Sequence, residues 1–380
     1  MNAPVRKGLG ERLRYPALGW AARRLAVVPA RGAAWVVATP GHLGDVLHAV
    51  PMLKALRRAI PGSKLVWLVG PWCEALARRY AGYVDEIRIF GPNLPGCTRG
   101  IREWQQSAWR QWRLGLELRR IGIDVLIAPL DAPGRFLANA VCPRTWAGIG
   151  ERRPPRVRPE IATVVQPYEK DRYEAEAWCG LLEPLGIAAR AEPLAYEPTP
   201  GERRTADEFL EAEGVDRERP LVLIAPGSGW SGKNWLPERF GEVAAWLATE
   251  RKAQIAWIGG PPEAALVPAA RASDFRWFGQ VPLATLAAAL PRAQLFVGND
   301  GGLLHFAAAQ GVPTVSVWGP TRPGKWGPQG PRHRQIRKAE HCAGCIYWDY
   351  RESCRHDRAC MRAVATADVL AAIGEVWPSA

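Results

Sequence analysis

The residues best suited to bind a phosphate group follow an apolar run in the second half of the chain. Leu221–Ala225 leads into a Pro-Gly-Ser-Gly turn that contains Ser228, and Lys233 follows shortly after. Small residues let a backbone approach a phosphate closely, a serine hydroxyl donates a hydrogen bond, and a lysine supplies a positive charge. The alternative is an ordinary strand-to-helix turn with a solvent-facing lysine. The pattern favours a phosphate site with Ser228 and Lys233 as ligands.

A second glycine-rich turn, Asp300-Gly301-Gly302, follows the apolar run Leu295–Val297 and precedes a helix that carries His305. The free N–H groups at a helix start carry partial positive charge, so the two glycines can hold a pyrophosphate oxygen. The glycine spacing differs from the dinucleotide-binding fingerprint. His305 could donate to a phosphate or pack in the core, and Asp300 could bind a sugar or act as an ordinary N-cap.

Between these two turns, Glu263 stands just past a third apolar run, Ile255–Ile258, in a position suited to a ribose hydroxyl pair. A glutamate that complements a helix dipole is an equally good interpretation. Phe278 could lie against a base or belong to the core.

In the first half of the chain, a Gly-rich connection between a strand and a helix contains Asp45. At such a place Asp45 is a candidate general base for an acceptor hydroxyl, and the alternative is an acid in a first helical turn. We expect His42 and Gly44 in the same connection, and Asp131 and Arg135 after a later strand, to contact the acceptor, because ligands of open α/β sheets bind at the carboxyl ends of strands.

Short β-branched runs alternate with helical patterns from Trp35 onward, which indicates parallel sheets covered by helices. The alternation stops at a Pro-rich stretch near residues 191–201 and then restarts. We therefore predict an α/β protein of two Rossmann-like, doubly wound lobes facing a central cleft. The predicted bounds are 1–198 for an acceptor-binding lobe, 199–362 for a nucleotide-sugar-binding lobe, and 363–380 for a C-terminal helix packing back towards the first lobe.

The chain has 380 residues, 48% of them hydrophobic and 23% charged, which suits two globular cores. Its apolar runs are too short for a signal peptide or for the roughly 20 residues that cross a bilayer, so we expect a cytoplasmic protein. A formal net charge of +13 favours an anionic partner. Nucleic acid is disfavoured, because neither a reading helix nor an aromatic sheet face with clustered Lys and Arg is visible.

Taken together, these residues resemble the lipopolysaccharide heptosyltransferases of glycosyltransferase family nine over roughly residues 35–375. An ordered series of motifs is far more specific than any single one. The matching residues are Gly44-Asp45, Leu47 and Pro51 in the first lobe, and Pro226-Gly227-Ser228, Lys233, Trp235, Asp300-Gly301-Gly302, His305, Ala307-Ala308-Ala309, Gly311, Pro313 and Trp318-Gly319-Pro320-Thr321 in the second.

The resemblance implies a GT-B fold, ADP-heptose as donor, an acceptor in the lipopolysaccharide inner core (lipid A with keto-deoxy-octulosonic acid), and inversion without a catalytic metal. By the same resemblance Asp45 is the base, Ser228 and Lys233 hold the pyrophosphate, Glu263 holds the ribose and Asp300 holds the heptose. An anionic glycolipid acceptor also implies peripheral contact with the cytoplasmic face of the inner membrane.

One departure concerns the sugar, because the family commonly has Thr where Gly301 stands, so one hydroxyl contact is missing here. The alternative is therefore a related enzyme that uses another nucleotide sugar or glycosylates a protein, as autotransporter heptosyltransferases do.

Four cysteines cluster near the C-terminus, namely Cys342, Cys345, Cys354 and Cys360. The first pair has zinc-knuckle spacing, while the second is wider than in common zinc ribbons. A structural Zn or Fe is one interpretation, and buried or surface thiols are the other. The related autotransporter enzymes are known for an iron-binding cysteine cluster.

The segment from Arg102 to Arg120 interleaves tryptophans with arginines. Interfacial helices combine aromatic and basic residues in this way, so the segment could meet a lipid headgroup or a leaflet surface. A helix packed by its tryptophans, with a solvated arginine face, is the alternative.

Overall fold

The computed structural model describes residues 32–39, 41–90, 101–130, 132–150, 157–267, 275–345, 354 and 356–377, with the backbone alone at 101–108 and 132–133. The chain forms two compact units. The first comprises Met1–Glu169 and Ala175–Glu192, and the second comprises Lys170–Glu174 and Pro193–Ala380. The structure thus divides the chain at 192/193 rather than at 198/199. It also assigns the short segment Lys170–Glu174 to the second unit.

The sheet of the first unit is parallel, with strand order β3-β2-β1-β4-β5-β6. Its inner strands are apolar because helices cover both faces, which is typical of parallel sheets. Trp35 and Trp67, for example, are fully buried. The strands are β1 Ala34–Thr39, β2 Lys64–Val69, β3 Glu86–Ile89, β4 Val125–Ile127, β5 Thr145–Gly150 and β6 Ala162–Pro167.

Among the described residues, the helices that accompany this sheet are α1 Leu43–Ala59, α2 Glu74–Arg78, α3 Ile101–Ile121, α4 Ala132–Val141 and α5 Glu174–Gly180. A 3₁₀ turn over Pro71–Cys73 precedes α2. The pair α3 and α4 packs closely, because Gly115 leaves no side chain between the helices and a Cβ there would overlap that of Ala140. Leu118 of α3 is buried in the core of this unit.

The sheet of the second unit is also parallel, with strand order β12-β11-β10-β7-β8-β9. Its strands are β7 Leu221–Ala225, β8 Gln254–Ile258, β9 Phe275–Phe278, β10 Leu295–Asn299, β11 Thr314–Val317 and β12 His333–Ile336. The helices are α6 Pro200–Ala212, α7 Pro237–Glu250, α8 Leu283–Ala289, α9 Gly302–Ala309, α10 Pro323–Trp326, α11 Ala359–Arg362 and α12 Thr366–Val376.

The C-terminal helix belongs to the core of the second unit. Buried side chains of α12, among them Val369 and Ile373, join the hydrophobic cluster of β7, β10 and β11, and α12 packs on α7, β11 and β12. The sequence analysis predicts that this helix packs towards the first lobe. The structure instead places its apolar face on its own unit, where the neighbouring sheet offers an apolar surface to bury.

Both units are therefore parallel α/β domains of the doubly wound kind, which confirms the predicted fold class. Among the described residues, no helix combines the length and the apolar character that crossing a membrane requires.

Candidate active site

The strand order of the second unit creates one topological switch point, between β7 and β10. These strands pair in parallel, with Gly298 opposite Ala225, and their chains then leave towards opposite edges of the sheet. Open α/β sheets bind ligands in the crevice at such a point. The two glycine-rich turns singled out from the sequence follow these two strands, so the fold brings them together.

A cluster of three ionisable side chains occupies this point. Lys233 Nζ lies 3.2 Å from Asp300 Oδ2, and His305 Nε2 lies 3.8 Å from Asp300 Oδ1. The exposed fractions are 8% for Lys233, 6% for Asp300 and 5% for His305. The sequence could not decide whether Lys233 faces solvent and His305 faces the site. The structure places both on the Asp300 carboxylate.

The charges of this cluster keep Asp300 ionised. Burial by itself raises the pKa of a carboxyl group, but the charges of Lys233 and His305 more than offset it, so the pKa of Asp300 is below its ordinary value. Asp300 is also not an N-cap. Helix α9 is capped by Gly301, without a side-chain hydrogen bond. The carboxylate therefore serves the cluster and not its own helix.

Asn299 connects the two turns and was missed in the sequence. Its Nδ2 donates to the carbonyl oxygen of Pro226 (2.7 Å), and its Oδ1 accepts from the backbone N–H of Trp235 (2.9 Å). This buried amide is 2% exposed. The only available signal was an amide at the end of an apolar run, which is equally typical of a turn.

The hydroxyl of Ser228 is engaged within its own turn. Its Oγ lies 2.7 Å from Oδ1 of Asn234 and 2.8 Å from the carbonyl oxygen of Trp230, both of which are acceptors. A serine hydroxyl has one hydrogen to donate. In this conformation Ser228 shapes the turn that carries Lys233, rather than offering its hydrogen to a phosphate.

Glu263 lies across the first turn and also caps its own. Its Oε2 accepts from the backbone N–H of Gly260 at 2.8 Å. Its side chain covers Gly227, where a Cβ would overlap Glu263 Cγ. Gly227 is therefore glycine because the carboxylate side chain occupies the space beside it. Oε2 therefore caps the turn that begins at Gly260, in line with the capping interpretation of Glu263. The other carboxylate oxygen, Oε1, is a second acceptor atom.

Gly301 differs from Gly227. Its φ of −161° is extended backbone open to any residue, and a Cβ there would have no neighbour closer than 3.9 Å. Neither backbone conformation nor packing requires a glycine. Gly302 begins α9, as predicted. Phe278 is core, packed edge-on against Phe209 with ring centroids 4.8 Å apart.

In the first unit the equivalent switch point lies between β1 and β4. The turn after β1 carries Asp45, whose Oδ2 accepts from the backbone N–H of His42 at 2.6 Å. This is a capping interaction at the start of α1. A Cβ at Gly41 would overlap Asp45 Oδ2. Asp45 is half-buried, and one carboxylate oxygen is fixed by the backbone.

Two side chains that follow β2 contact the turn that carries Asp45. The carbonyl oxygen of Gly41 accepts from the indole Nε1 of Trp72 at 2.9 Å, and the Cys73 thiol lies 3.7 Å from the same oxygen. Burial, and then the charge of Asp45, raise the pKa of Cys73 to about 12, so this thiol is protonated at neutral pH.

The structure describes three of the four residues that are expected to contact the acceptor. His42 and Gly44 flank Asp45 in the α1 turn, with His42 half-buried and Gly44 buried. Arg135 is on α4, which follows β4 at the switch point, and its side chain is exposed. Asp131 lies outside the described residues.

The four C-terminal cysteines lie near one another in the second unit. Cys342 and Cys360 are buried, Cys354 is half-buried and Cys345 is exposed. Burial, followed by the hydrogen bond and charge of Cys342 and the charges of Cys345 and Cys354, raises the pKa of Cys360 to about 12. Within the described part of the chain, no three His, Cys, Asp or Glu side chains are arranged to hold a metal ion.

Comparison with known proteins agrees with this geometry. The family model of glycosyltransferase family 9 (heptosyltransferase) matches residues 168–355. Lipopolysaccharide heptosyltransferase 1 of Pseudomonas aeruginosa is 29% identical over 334 residues, which cover 80% of this chain and 83% of that protein.

Two solved structures share the fold. A family 9 glycosyltransferase from Veillonella parvula aligns with a TM-score of 0.71 at 22% identity, covering 93% of this chain and 99% of that one. The ADP-heptose lipopolysaccharide heptosyltransferase II of Escherichia coli aligns with a TM-score of 0.66 at 19% identity, covering 90% and 98%. With the family's motifs at the switch points of both sheets, this chain belongs to glycosyltransferase family 9, the heptosyltransferase family.

Proposed function

We propose that this protein transfers a heptose from ADP-heptose to a hydroxyl group of the lipopolysaccharide inner core, on lipid A with keto-deoxy-octulosonic acid. The observation that carries the proposal is the buried cluster of Lys233, Asp300 and His305 at the β7/β10 switch point. A cation, a sugar-binding carboxylate and a helix start converge there, which suits a sugar linked through a diphosphate.

The donor is held by both turns of the second unit. Lys233 and the free N–H groups at the start of α9, with Gly301 and Gly302, contact the diphosphate, and His305 donates to it. Asp300 accepts from the heptose hydroxyls. Its bond to Lys233 fixes the carboxylate for that role, because a paired buried carboxylate has few orientations open to it.

We assign supporting roles to two further residues. Glu263 Oε1 accepts from the ribose hydroxyl pair, since Oε2 already binds Gly260. Ser228 shapes, through its hydroxyl contacts with Asn234 and Trp230, the turn that carries Lys233 to the diphosphate.

Transfer is a single displacement with inversion. The acceptor oxygen forms a bond to the anomeric carbon, the bond from that carbon to the phosphate oxygen breaks, and ADP leaves with the electron pair. Asp45 takes the acceptor proton on Oδ1, because Oδ2 is bound to the His42 N–H. Lys233 and the α9 N-terminus stabilise the charge that develops on ADP.

A thermal-shift screen with ADP, UDP and GDP and their sugars tests the donor assignment. A ligand that binds only the folded protein stabilises it, by about 2.7 kcal/mol at 100 times its Kd. We expect ADP and ADP-heptose to raise the unfolding temperature, and the UDP and GDP compounds to leave it unchanged. A shift with UDP or GDP sugars alone would contradict the assignment.

The space at Gly301 favours a second candidate, a transferase for another ADP-linked sugar or for a protein acceptor. A side chain there would meet nothing closer than 3.9 Å, so a bulkier or differently oriented sugar fits beside Asp300. The same screen separates the two candidates by comparing ADP-heptose with ADP-hexoses.

The acceptor we propose is an anionic glycolipid, which places the enzyme at the cytoplasmic face of the inner membrane as a peripheral protein. The formal net charge of +13 supports such a partner. Recovery of the protein with membranes at low salt, and its release at high salt, would test this placement.

We also propose that Cys342, Cys345, Cys354 and Cys360 bind a structural Zn or Fe ion, which would have to draw the four side chains together, since the structure does not arrange them as a metal site. Four thiolates suit the tetrahedral coordination of these metals, and the other three cysteines are close enough to Cys360 to raise its pKa. The metal would stabilise the C-terminal part of the second unit and take no part in transfer. Elemental analysis of the purified protein should give about one metal per chain. Its loss in Cys345→Ser, with donor binding retained, separates this role from catalysis.

A further inference from the structure

Helix α3 is anchored to the first unit by one of its sides. The ring of Trp112 lies 5.4 Å from that of Phe136 on α4, Gly115 contacts Ala140, and Leu118 is completely buried. These contacts fix the orientation of the helix about its own axis. The opposite side, which begins at Trp109 in the described part of the chain, therefore faces outward.

That outward side concentrates the apolar surface that the first unit leaves exposed. Among the described residues, the exposed large hydrophobic side chains are Ile89, Trp109 and Leu116, at 39%, 68% and 38%. Trp109 and Leu116 are two helical turns apart and so lie on one face. Ile89 ends β3, whose Arg88 binds Glu117 of α3 at 3.1 Å. Trp109 and Leu116, with the charged residues around them on α3, form what we call the α3 face, and Ile89 follows the strand residue that contacts this helix.

Arginines surround this apolar surface. The sequence from Trp109 to Ile121 contains four arginines, at 110, 113, 119 and 120, against the single acid Glu117. All four are exposed. Arg113 contacts Glu117 at 3.3 Å, but its side chain remains 75% exposed. Arg113 and Arg120 lie one turn from Leu116, so positive charge is interleaved with the apolar side chains.

We propose that the α3 face docks on an anionic lipid bilayer. A helix that places Trp and Leu between arginines on one side lies in the plane of a membrane interface, with its rings at headgroup level and its guanidinium groups on lipid phosphates. Each arginine near an anionic surface adds to the attraction. This inference rests on the proposed function only in that a membrane-anchored acceptor requires the enzyme to reach a bilayer.

Sedimentation with vesicles tests the docking surface. Vesicles of phosphatidylethanolamine with phosphatidylglycerol are compared with vesicles of phosphatidylcholine. We expect the protein to sediment with the first and not with the second, and to be released by salt. Arg113→Glu with Arg120→Glu should weaken binding at least about tenfold, and Trp109→Ala about three- to tenfold.

The matched control reverses two arginines elsewhere on the first unit, Arg58 and Arg78, whose side chains are 62% and 67% exposed. Arg58→Glu with Arg78→Glu makes the same change in net charge. Equal loss of vesicle binding in the control and in the α3 variant would overturn the proposal. So would failure of the wild-type protein to bind anionic vesicles.

A second readout separates this inference from the proposed function. Transfer to a water-soluble, deacylated acceptor and the thermal shift with ADP should be unchanged in the α3 variant. If the wild-type protein binds vesicles through this face but transfers no heptose, the docking surface stands and the proposed function fails. If it transfers heptose to the soluble acceptor but ignores anionic vesicles, the docking surface is wrong.

Discussion

At the scale of single residues, the donor half of the site rests on three buried ionisable groups. A buried ion pair such as Lys233 with Asp300 adds little net stability, because desolvation offsets the attraction, but removing one partner is costly. The cluster therefore contributes chemistry more than stability. In the proposed function Asp300 orients the sugar, and Lys233 interacts both with Asp300, its ion-pair partner, and with the diphosphate.

Removal of the Asp300 charge should separate binding from turnover. In Asp300→Asn, Lys233 keeps a hydrogen-bond acceptor but loses its competing anion, so we expect ADP affinity to be unchanged or higher. The rate of transfer should fall by about 100-fold or more, because the heptose loses a fixed acceptor. Titration calorimetry with ADP and a turnover assay measure the two quantities.

Lys233→Met is the opposing variant. It should weaken ADP binding about tenfold or more and lower the free energy of unfolding by about 3–5 kcal/mol, since Asp300 would be buried without its cation. Equal losses of ADP affinity in Asp300→Asn and Lys233→Met would mean that the two residues act only as a structural pair.

Substitution by alanine should affect the stability of the protein strongly at Gly227 and only slightly at Gly301. Gly227→Ala pushes against Glu263 Cγ, so we expect a loss of about 1–3 kcal/mol in stability together with weaker ADP binding. Gly301→Ala meets nothing closer than 3.9 Å and should change stability by less than about 0.5 kcal/mol. Urea unfolding of both variants measures this, and a Gly227→Ala protein as stable as Gly301→Ala would contradict the packing described here.

At the scale of elements, the sequence predicted strands that form continuous apolar runs and missed strands that lack such a run. The apolar run Leu221–Ala225 coincides with the observed bounds of β7, because continuous apolar runs are typical of central parallel strands. The edge strand β3 alternates charged residues with isoleucine, and the edge strand β12 has three polar or charged residues before its one isoleucine. A four-residue run of that kind is too weak a signal to distinguish from a loop.

Strand β12 should make stability depend on pH through His333. Its Nδ1 lies 3.0 Å from Thr314 Oγ1 of β11, and burial, then Arg332 and Arg334, lower its pKa to about 4. Below the ordinary pKa of about 6.5 the unfolded chain binds a proton that the folded chain does not, so stability is lost as pH falls from there towards 4.

Denaturation of the wild-type protein and of His333→Gln at about pH 7 and about pH 5 measures this effect. Because part of the side chain is exposed, the extra loss in the wild-type protein should be on the order of 1 kcal/mol. The same change in unfolding free energy in both proteins would show that His333 does not couple folding to protons.

At the scale of the whole molecule, the sequence predicted two parallel α/β domains but not where the chain passes between them. The segment 170–174 belongs to the second unit, where Glu174 binds the buried Lys325 at 2.7 Å. Such a long-range ion pair leaves no local pattern. Helix α12 shows the same limit, since an apolar face predicts burial but not the surface that buries it.

The placement of the site was predictable because the glycine-rich turns follow strands, and strand ends of a doubly wound sheet mark the ligand site. The roles of the individual residues within the site were less predictable from the sequence. Asn299 and the internal bonds of Ser228 depend on which turns the strand order makes adjacent, and periodicity does not encode that order.

The most direct test of the account is a mass-spectrometric assay of heptose transfer from ADP-heptose to lipid A bearing keto-deoxy-octulosonic acid, run with the wild-type protein and with Asp45→Asn. We predict a mass gain of one heptose with stoichiometric release of ADP for the wild-type protein. For Asp45→Asn we predict loss of transfer with the ADP-heptose thermal shift intact. No mass gain with the wild-type protein, or full transfer by Asp45→Asn, would contradict the account.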